Sequence, residues 1–270
     1  MKIHPQARRF FRELAGFFAL FFCLLTAQPL AARDIAPALV TDVIDGDTVK
    51  VLLESGEGAT VRYLGIDTPE LHHPSRGQEE FGREARAANA ALVTGREVLL
   101  EKDLQTADRY GRMLAWVWIR EDEGVFLVNA ELVRLGYAMP FTLAPNVRYT
   151  DLIIEAFREA RLEKKGFWKP AAKRVFSASQ AWSELPTLAG HFITLELLVE
   201  EIRESRIRYS LVSPEGLARF VVYKGDAPRF KGLELLKGRR VKAVGKLVAG
   251  YQGAEMTLAD PVQILEIERP

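Results

Sequence analysis

Cysteine is almost absent from this chain: Cys23 is the single copy in 270 residues, and it lies inside the apolar run LAGFFALFFCLLTA. Beyond that run, disulfide frameworks, thiolate catalysis and Cys-based metal sites are excluded. Histidine is scarce too. The four copies offer no His-Glu-x-x-His spacing, and the adjacent His72 and His73 point apart in extended chain, so a loop role suits them better than zinc. An excess of one charge is also missing, with 37 Lys plus Arg against 36 Asp plus Glu. Without residues 1–32, which carry Lys2, Arg8, Arg9, Arg12 and Glu13, the formal net charge is about −2. A broad electrostatic grip on a polyanion is thereby excluded, and any nucleic-acid role must rest on locally placed cations. No apolar run reaches the roughly 20 residues that a membrane-spanning helix needs.

What is present begins with four basic residues, the apolar run and the small-residue segment QPLAARD, in the order of a secretory signal. The pattern predicts a signal peptide over 1–32, cleavage near Ala32 and a secreted or periplasmic product. The alternative is an uncleaved membrane anchor. Phe22, in front of Cys23, is not the small residue a lipoprotein signal would place there.

The remaining chain reads as mainly β with helices, an α+β class. LVTDVIDGDTVKVLLESGEGATVRYLGI alternates apolar and polar residues around Asp45-Gly46 and ESGEGA, which predicts two or three strands. SRGQEEFGREARAANAALVTG predicts a helix with Phe81, Ala85, Ala88 and Leu92 inward and Gly95 closing it. EVLLEKD and RMLAWVWIR return to strand character, and VNAELVRLG and YTDLIIEAFREARLEKKGFW predict two further helices. We place the first domain at 37–169 and a linker at 170–188, where periodicity is lost around Pro170 and Pro186. A second all-β domain follows at 189–270, with short strands between Gly-rich turns suggesting a small Greek-key barrel.

Four clusters in the first domain carry chemistry-bearing side chains: DGDTV with Asp47, VRYLGIDTPE with Arg62, Asp67 and Glu70, HHPSRG with Arg76, and DRYGR with Arg109, Tyr110 and Arg112. Taken singly, each is also ordinary turn composition. In DGDTV, a turn explains Asp45 and Gly46 and leaves Asp47 without a task. Taken together, Asp47 and Asp67 are short carboxylates suited to a hard cation with all-oxygen ligation, as for calcium. Glu70 suits a general base for water, and Arg62 and Arg112 offer planar forks for phosphate oxygens. One metal, one carboxylate base and two guanidiniums make a phosphodiester-hydrolysing set.

These motifs, in this order from about Leu39 to Trp168, resemble the staphylococcal nuclease family. The resemblance implies an OB-type five-stranded barrel with three helices. It also implies calcium-dependent hydrolysis of DNA and/or RNA, single-stranded substrate preferred, leaving 3′-phosphates. By motif, Asp47 and Asp67 would be the calcium carboxylates, Thr68 would give its backbone carbonyl, and Glu70 would be the base. Arg62 and Arg112 would clamp the phosphate, and Arg76, Arg109 and Tyr110 would hold a neighbouring one. Arg76 and Arg109 stand where the type enzyme has lysines. YAMPFTLAPN offers Phe141 where that enzyme packs the base with tyrosine, so stacking is kept and a hydroxyl donor is lost.

The second domain resembles OB-fold modules found after nuclease domains of this kind, on the run GRRVKAVGKLVAGYQGAEMTLADPVQILEI. Strand alternation puts Arg206 and Arg208 on one face of SRIRYSLVS, and Arg219 and Tyr223 together on LARFVVY. Those residues are candidates for single-strand binding, the alternative being a face that packs on the first domain or a partner protein. For the whole chain, the competing reading is an inactive nucleic-acid-binding or scaffold protein on the same fold. Such copies lack the Asp, Glu and Arg set that is complete here.

Overall fold

β-branched residues at alternate positions turn one face of each early strand inward, and Val40, Val43, Val49, Val51 and Val61 are all buried. The computed structural model describes residues 34–71, 77–122, 124–250 and 252–268, so the segment read as a secretory signal lies outside it. The first strands are β1 (Ile35–Asp45), β2 (Thr48–Leu53), β3 (Gly58–Tyr63), β4 (Ile66–Asp67), β5 (Glu97–Glu101) and β6 (Met113–Glu121). β1 pairs antiparallel with β2 and, through its first residues, with β5. β2 pairs with β3 and β5 with β6, and β3 runs parallel to β6 with Val61 beside Met113. The five strands therefore close into a barrel, the OB-type arrangement expected from the sequence. β7 (Gly124–Leu127) pairs antiparallel with β6, and β8 (Met139–Pro140) pairs with β4.

Three helices pack against this barrel: α1 (Gly82–Val93), α2 (Val128–Arg134) and α3 (Thr150–Leu162). Val93, Leu132 and Phe157 bring them into one buried cluster with Val61 and Trp116. α1 starts later than the sequence predicts. Phe81 takes a positive φ of 67° ahead of it, and the Gly82 amide bonds the Glu79 carbonyl in a turn, 3.2 Å away. Glu79 is thereby turned inward and buried rather than spaced along a solvated helix face.

The stretch 170–188, read as a linker, is folded. α4 (Trp168–Ala171), β9 (Val175–Ser177), α5 (Ala178–Ser183) and α6 (Leu185–Leu188) follow one another closely. Ser177 and Gln180 form a reciprocal capping box at the start of α5, and Ala181 and Leu185 enter a second buried cluster. Short elements of this kind carry no readable period, which is why composition alone suggests a linker.

The last strands are β10 (Phe192–Leu198), β11 (Glu201–Glu204), β12 (Arg208–Val212), β13 (Ala218–Tyr223), β14 (Arg240–Gly250), β15 (Gly253–Thr257) and β16 (Ile264–Glu268). β10 and β11 act as one bent strand, since the Val199 amide bonds the Arg239 carbonyl and the Glu200 amide the Val212 carbonyl. One end pairs with β14 and the other with β12, while β13 runs parallel to β15. This is the pairing order of the first barrel. The first core also continues into the second half, through buried Phe192 and Val244. The Phe192 ring stacks on Phe167 at 3.9 Å and 9° and meets Phe81 edge-on.

The cationic face read on β12 and β13 is partly closed by ion pairs. Arg219 is buried and bonds the Gly216 and Gln252 carbonyls. Glu255, opposite it on β15, also takes Arg208 at 2.9 Å. Alternation gives the core face correctly, with Leu211, Phe220 and Val222 in the second buried cluster, but not that Glu255 covers Arg208 and Arg219 on the opposite face, and a buried arginine needs partners.

Candidate active site

β1 and β2 are joined by a two-residue turn, Gly46-Asp47, with Asp45 opposite Thr48. Asp45 thus ends the strand, its Oδ1 accepting the Gly46 amide at 2.8 Å, and Asp47 belongs to the turn itself. A Cβ on Gly46 would stand 2.7 Å from Thr68 Oγ1 and 2.9 Å from the Ala85 Cβ. Only glycine lets the turn close on Thr68. The buried Asp47 is held there, with Oδ2 accepting from the Thr68 amide at 3.0 Å and the Thr68 hydroxyl at 2.9 Å. Its Oδ1 accepts from the Thr48 hydroxyl at 3.0 Å.

Arg62, on β3 beside that turn, is the hub of the site. Nη1 donates to the Tyr63 and Ile66 carbonyls at 2.7 and 2.9 Å. Nη2 lies 3.1 Å from both Asp47 Oδ2 and Asp67 Oδ1. Two carboxylates, one from the β1–β2 turn and one from β4, therefore converge on one nitrogen. Oxygen donors converging in this way are what a hard divalent cation requires, so the pair fits calcium by donor type. Among the described residues no three His, Asp, Glu or Cys side chains form a shared ligand cluster. A cation there would draw its other ligands from backbone oxygen and water.

Glu70 stands beside this pair and shares a hydrogen bond with Asp45. Burial first, then Asp45 and the charges of Asp47 and Asp67, push its carboxyl up to about 8. The Glu70 amide donates to Glu79 Oε2 at 3.1 Å, and the Glu79 amide returns a bond to the Glu70 carbonyl at 2.8 Å. Neither Glu79 nor Lys246, which reaches it from β14, is singled out by sequence patterning. A lysine on an alternating strand and a glutamate before a helix look like ordinary solvated residues, and no short-range signal marks them.

Arg112 enters a cleft of about 180 Å³ lined also by Arg62, Tyr63, Asn146 and Phe141. Asp108 aims it, Oδ2 taking Arg112 Nε at 2.7 Å and Oδ1 taking the Tyr110 and Arg112 amides. Phe141 is half exposed at the cleft, its amide anchored on the Gly65 carbonyl at 2.9 Å. Tyr110 is exposed on the same turn, with the Arg109 guanidinium 4.8 Å and the Arg112 guanidinium 5.6 Å from its ring centre. The structure thus brings Asp47, Arg62, Asp67, Thr68 and Glu70 together at one end of the barrel, with Arg112 and Phe141 along the adjoining cleft. Arg76, with His72 and His73, lies outside the described residues.

A family model described as staphylococcal nuclease homologue matches residues 60–170. The chain is 36% identical over 129 residues to a thermonuclease of Staphylococcus hyicus, covering 48% of this chain and 73% of that protein. It is 34% identical over 131 residues to a thermonuclease of Staphylococcus intermedius, covering 48% and 75%. An SPbeta prophage-derived endonuclease of Bacillus subtilis is 33% identical over 138 residues, covering 50% of this chain and 45% of that protein.

Proposed function

The chain belongs to the staphylococcal nuclease family, and from that membership we propose that it is an exported, calcium-dependent nuclease acting on DNA and/or RNA. The observation that carries the reading is the convergence of Asp47 Oδ2 and Asp67 Oδ1 on one nitrogen of Arg62, with Glu70 alongside. Asp47 and Asp67, with the Thr68 carbonyl, would hold the calcium ion, which supplies Lewis-acid polarisation of a phosphoryl oxygen when bound. Thr68 fixes Asp47 through two donated bonds, so the carboxylate is oriented before substrate arrives.

In this reading a cation on Asp47 and Asp67 would offset the neighbouring charges that help raise the Glu70 carboxyl, and Glu70, as carboxylate, takes a proton from the attacking water. Arg62 and Arg112 donate to phosphoryl oxygens as negative charge builds on them, Arg112 being aimed by Asp108. Attack with departure of the 5′ oxygen leaves a 3′-phosphate. Arg76, Arg109 and Tyr110 bind a neighbouring phosphate, and Phe141 stacks a base of a single strand at the open side of the cleft. The start of the chain supports export with removal of residues 1–32. Among the described residues no helix is long and apolar enough to cross a membrane.

Incubating the purified chain with single-stranded DNA and RNA, in calcium and in excess chelator, tests this directly. Cleavage in calcium alone, with phosphate on the 3′ end of the products, is the expected result. Equal cleavage in chelator removes the metal from the mechanism. Binding without cleavage in any divalent cation replaces the nuclease by the inactive binding protein.

A further inference from the structure

Phe192 on β10 and Lys246 on β14 are direct cross-strand partners, so their side chains leave the sheet on the same face. That face is docked on the nuclease half. Phe192 is fully buried against Phe167 and Phe81, and its amide donates to Glu80 Oε2 at 3.1 Å. Arg174 adds an ion pair to Glu80, and Arg158 on α3 pairs with Asp260 at 2.8 Å. Seating Phe192 therefore fixes where Lys246 emerges. It emerges at the site: Lys246 Nζ lies 3.0 Å from Glu79 Oε2 and 3.7 Å from Asp67 Oδ2, with only 17% of its side chain exposed.

The two acids it touches are not peripheral. Asp67 is one of the two carboxylates converging on Arg62, and Glu79 Oε2, the oxygen bonded by Lys246, also accepts the Glu70 amide. A buried carboxylate with a paired cation and a fixed amide donor is a rigid anchor, whereas one that loses that cation must protonate or move. We propose that Lys246 is a positioning residue of the nuclease site, orienting Asp67 directly and Glu70 through Glu79, so that the carboxyl-terminal half is a working part of that site. The proposal rests on the nuclease reading above for its consequence in turnover, but the tether itself is made by the chain's own residues.

The test compares the full native chain with Lys246→Met, Lys246→Arg and the double variant Lys246→Met, Glu79→Gln. The double variant removes the pair together and guards against misfolding from a lone buried charge. Amide hydrogen exchange at Glu70, measured without metal or substrate, is expected to quicken at least about tenfold in Lys246→Met and to stay near native in Lys246→Arg. Titration of the metal-free chains with calcium chloride should show affinity rising by about fivefold in Lys246→Met, because a cation beside Asp67 has gone. Affinity should return toward native in the double variant, whose site charge is unchanged. On a single-stranded oligonucleotide, kcat should fall by about tenfold in both Met variants. A purely structural loss would weaken metal binding and turnover alike, not move them in opposite directions.

Native exchange at Glu70 together with native calcium affinity in Lys246→Met would overturn the proposal, and so would failure of Lys246→Arg to keep either. If the native chain cleaves nothing while Lys246→Met still loosens Glu70, the nuclease reading falls and the tether stands.

Discussion

Replacing Phe192 by alanine tests whether the two halves unfold as one body. Phe192 is fully buried, stacked at 3.9 Å on Phe167 and edge-on to Phe81 at 6.2 Å, although it belongs by sequence to the second barrel. Truncating a buried phenylalanine costs about 3–5 kcal/mol, the upper end applying where neighbours cannot collapse into the gap. Collapse is restricted here, because Phe167 is itself packed against Trp168 at 4.8 Å and the Phe192 backbone is held in register with Lys246. We therefore expect a loss of about 4 kcal/mol, which for a folded unit of this size lowers the melting temperature by about 10 °C. Scanning calorimetry of the full chain should show one transition, displaced as a whole, in native and variant alike. Two transitions, with only the one that reports the second barrel displaced, would refute the shared core. So would a loss below about 1 kcal/mol, within the range of an ordinary surface substitution.

Glu70→Gln keeps the carbonyl oxygen but cannot take a proton, and turnover in saturating calcium should fall by about 100-fold or more; near-native kcat would remove Glu70 from the role of base. Arg62→Met strips the cation from between Asp47 and Asp67, and should cost the metal-free chain about 3–5 kcal/mol. Calcium should restore part of that, so the melting temperature should rise more on calcium addition in the variant than in the native chain; equal increments would contradict convergence of the two carboxylates on a metal. Phe141→Ala, at a half-exposed position, should leave stability within about 0.5 kcal/mol of native. It should raise KM on a single-stranded oligonucleotide by about tenfold with little change in kcat, and an unchanged KM would exclude base stacking there.

How much of this was readable in the chain depends on the distance over which each contact is made. Arg62, Asp47 and Asp67 meet through one hairpin and the strand after it, so alternation and turn chemistry bring them within reach of a sequence reading. The closed barrel is implied only by the family resemblance, because its closure sets Val61 of β3 beside Met113 of β6, a pairing no short-range pattern displays. Even at short range the pattern misplaces details, since Gly46-Asp47 rather than Asp45-Gly46 is the turn, and α1 waits for the positive φ of Phe81. The segment 170–188 escapes because a three-residue strand and helices of four to six residues are too short to show a period.

Lys246 escapes for a different reason. Its partner Glu79 is 167 residues away, and nothing local separates a strand lysine that faces solvent from one that crosses into another half. Its placement depends on Phe192, an apolar residue any barrel would be expected to keep for its own core. In this chain that residue fills the neighbouring core instead, and its cross-strand partner then has one direction left to point. A second barrel docked in this way constrains the first at the carboxylate end of its site, where small displacements of Asp67 or Glu70 weigh most on positioning. The physical case for the second half as part of the site therefore lies in the pairing of one buried ring with one partly buried cation, a feature that neither half displays alone.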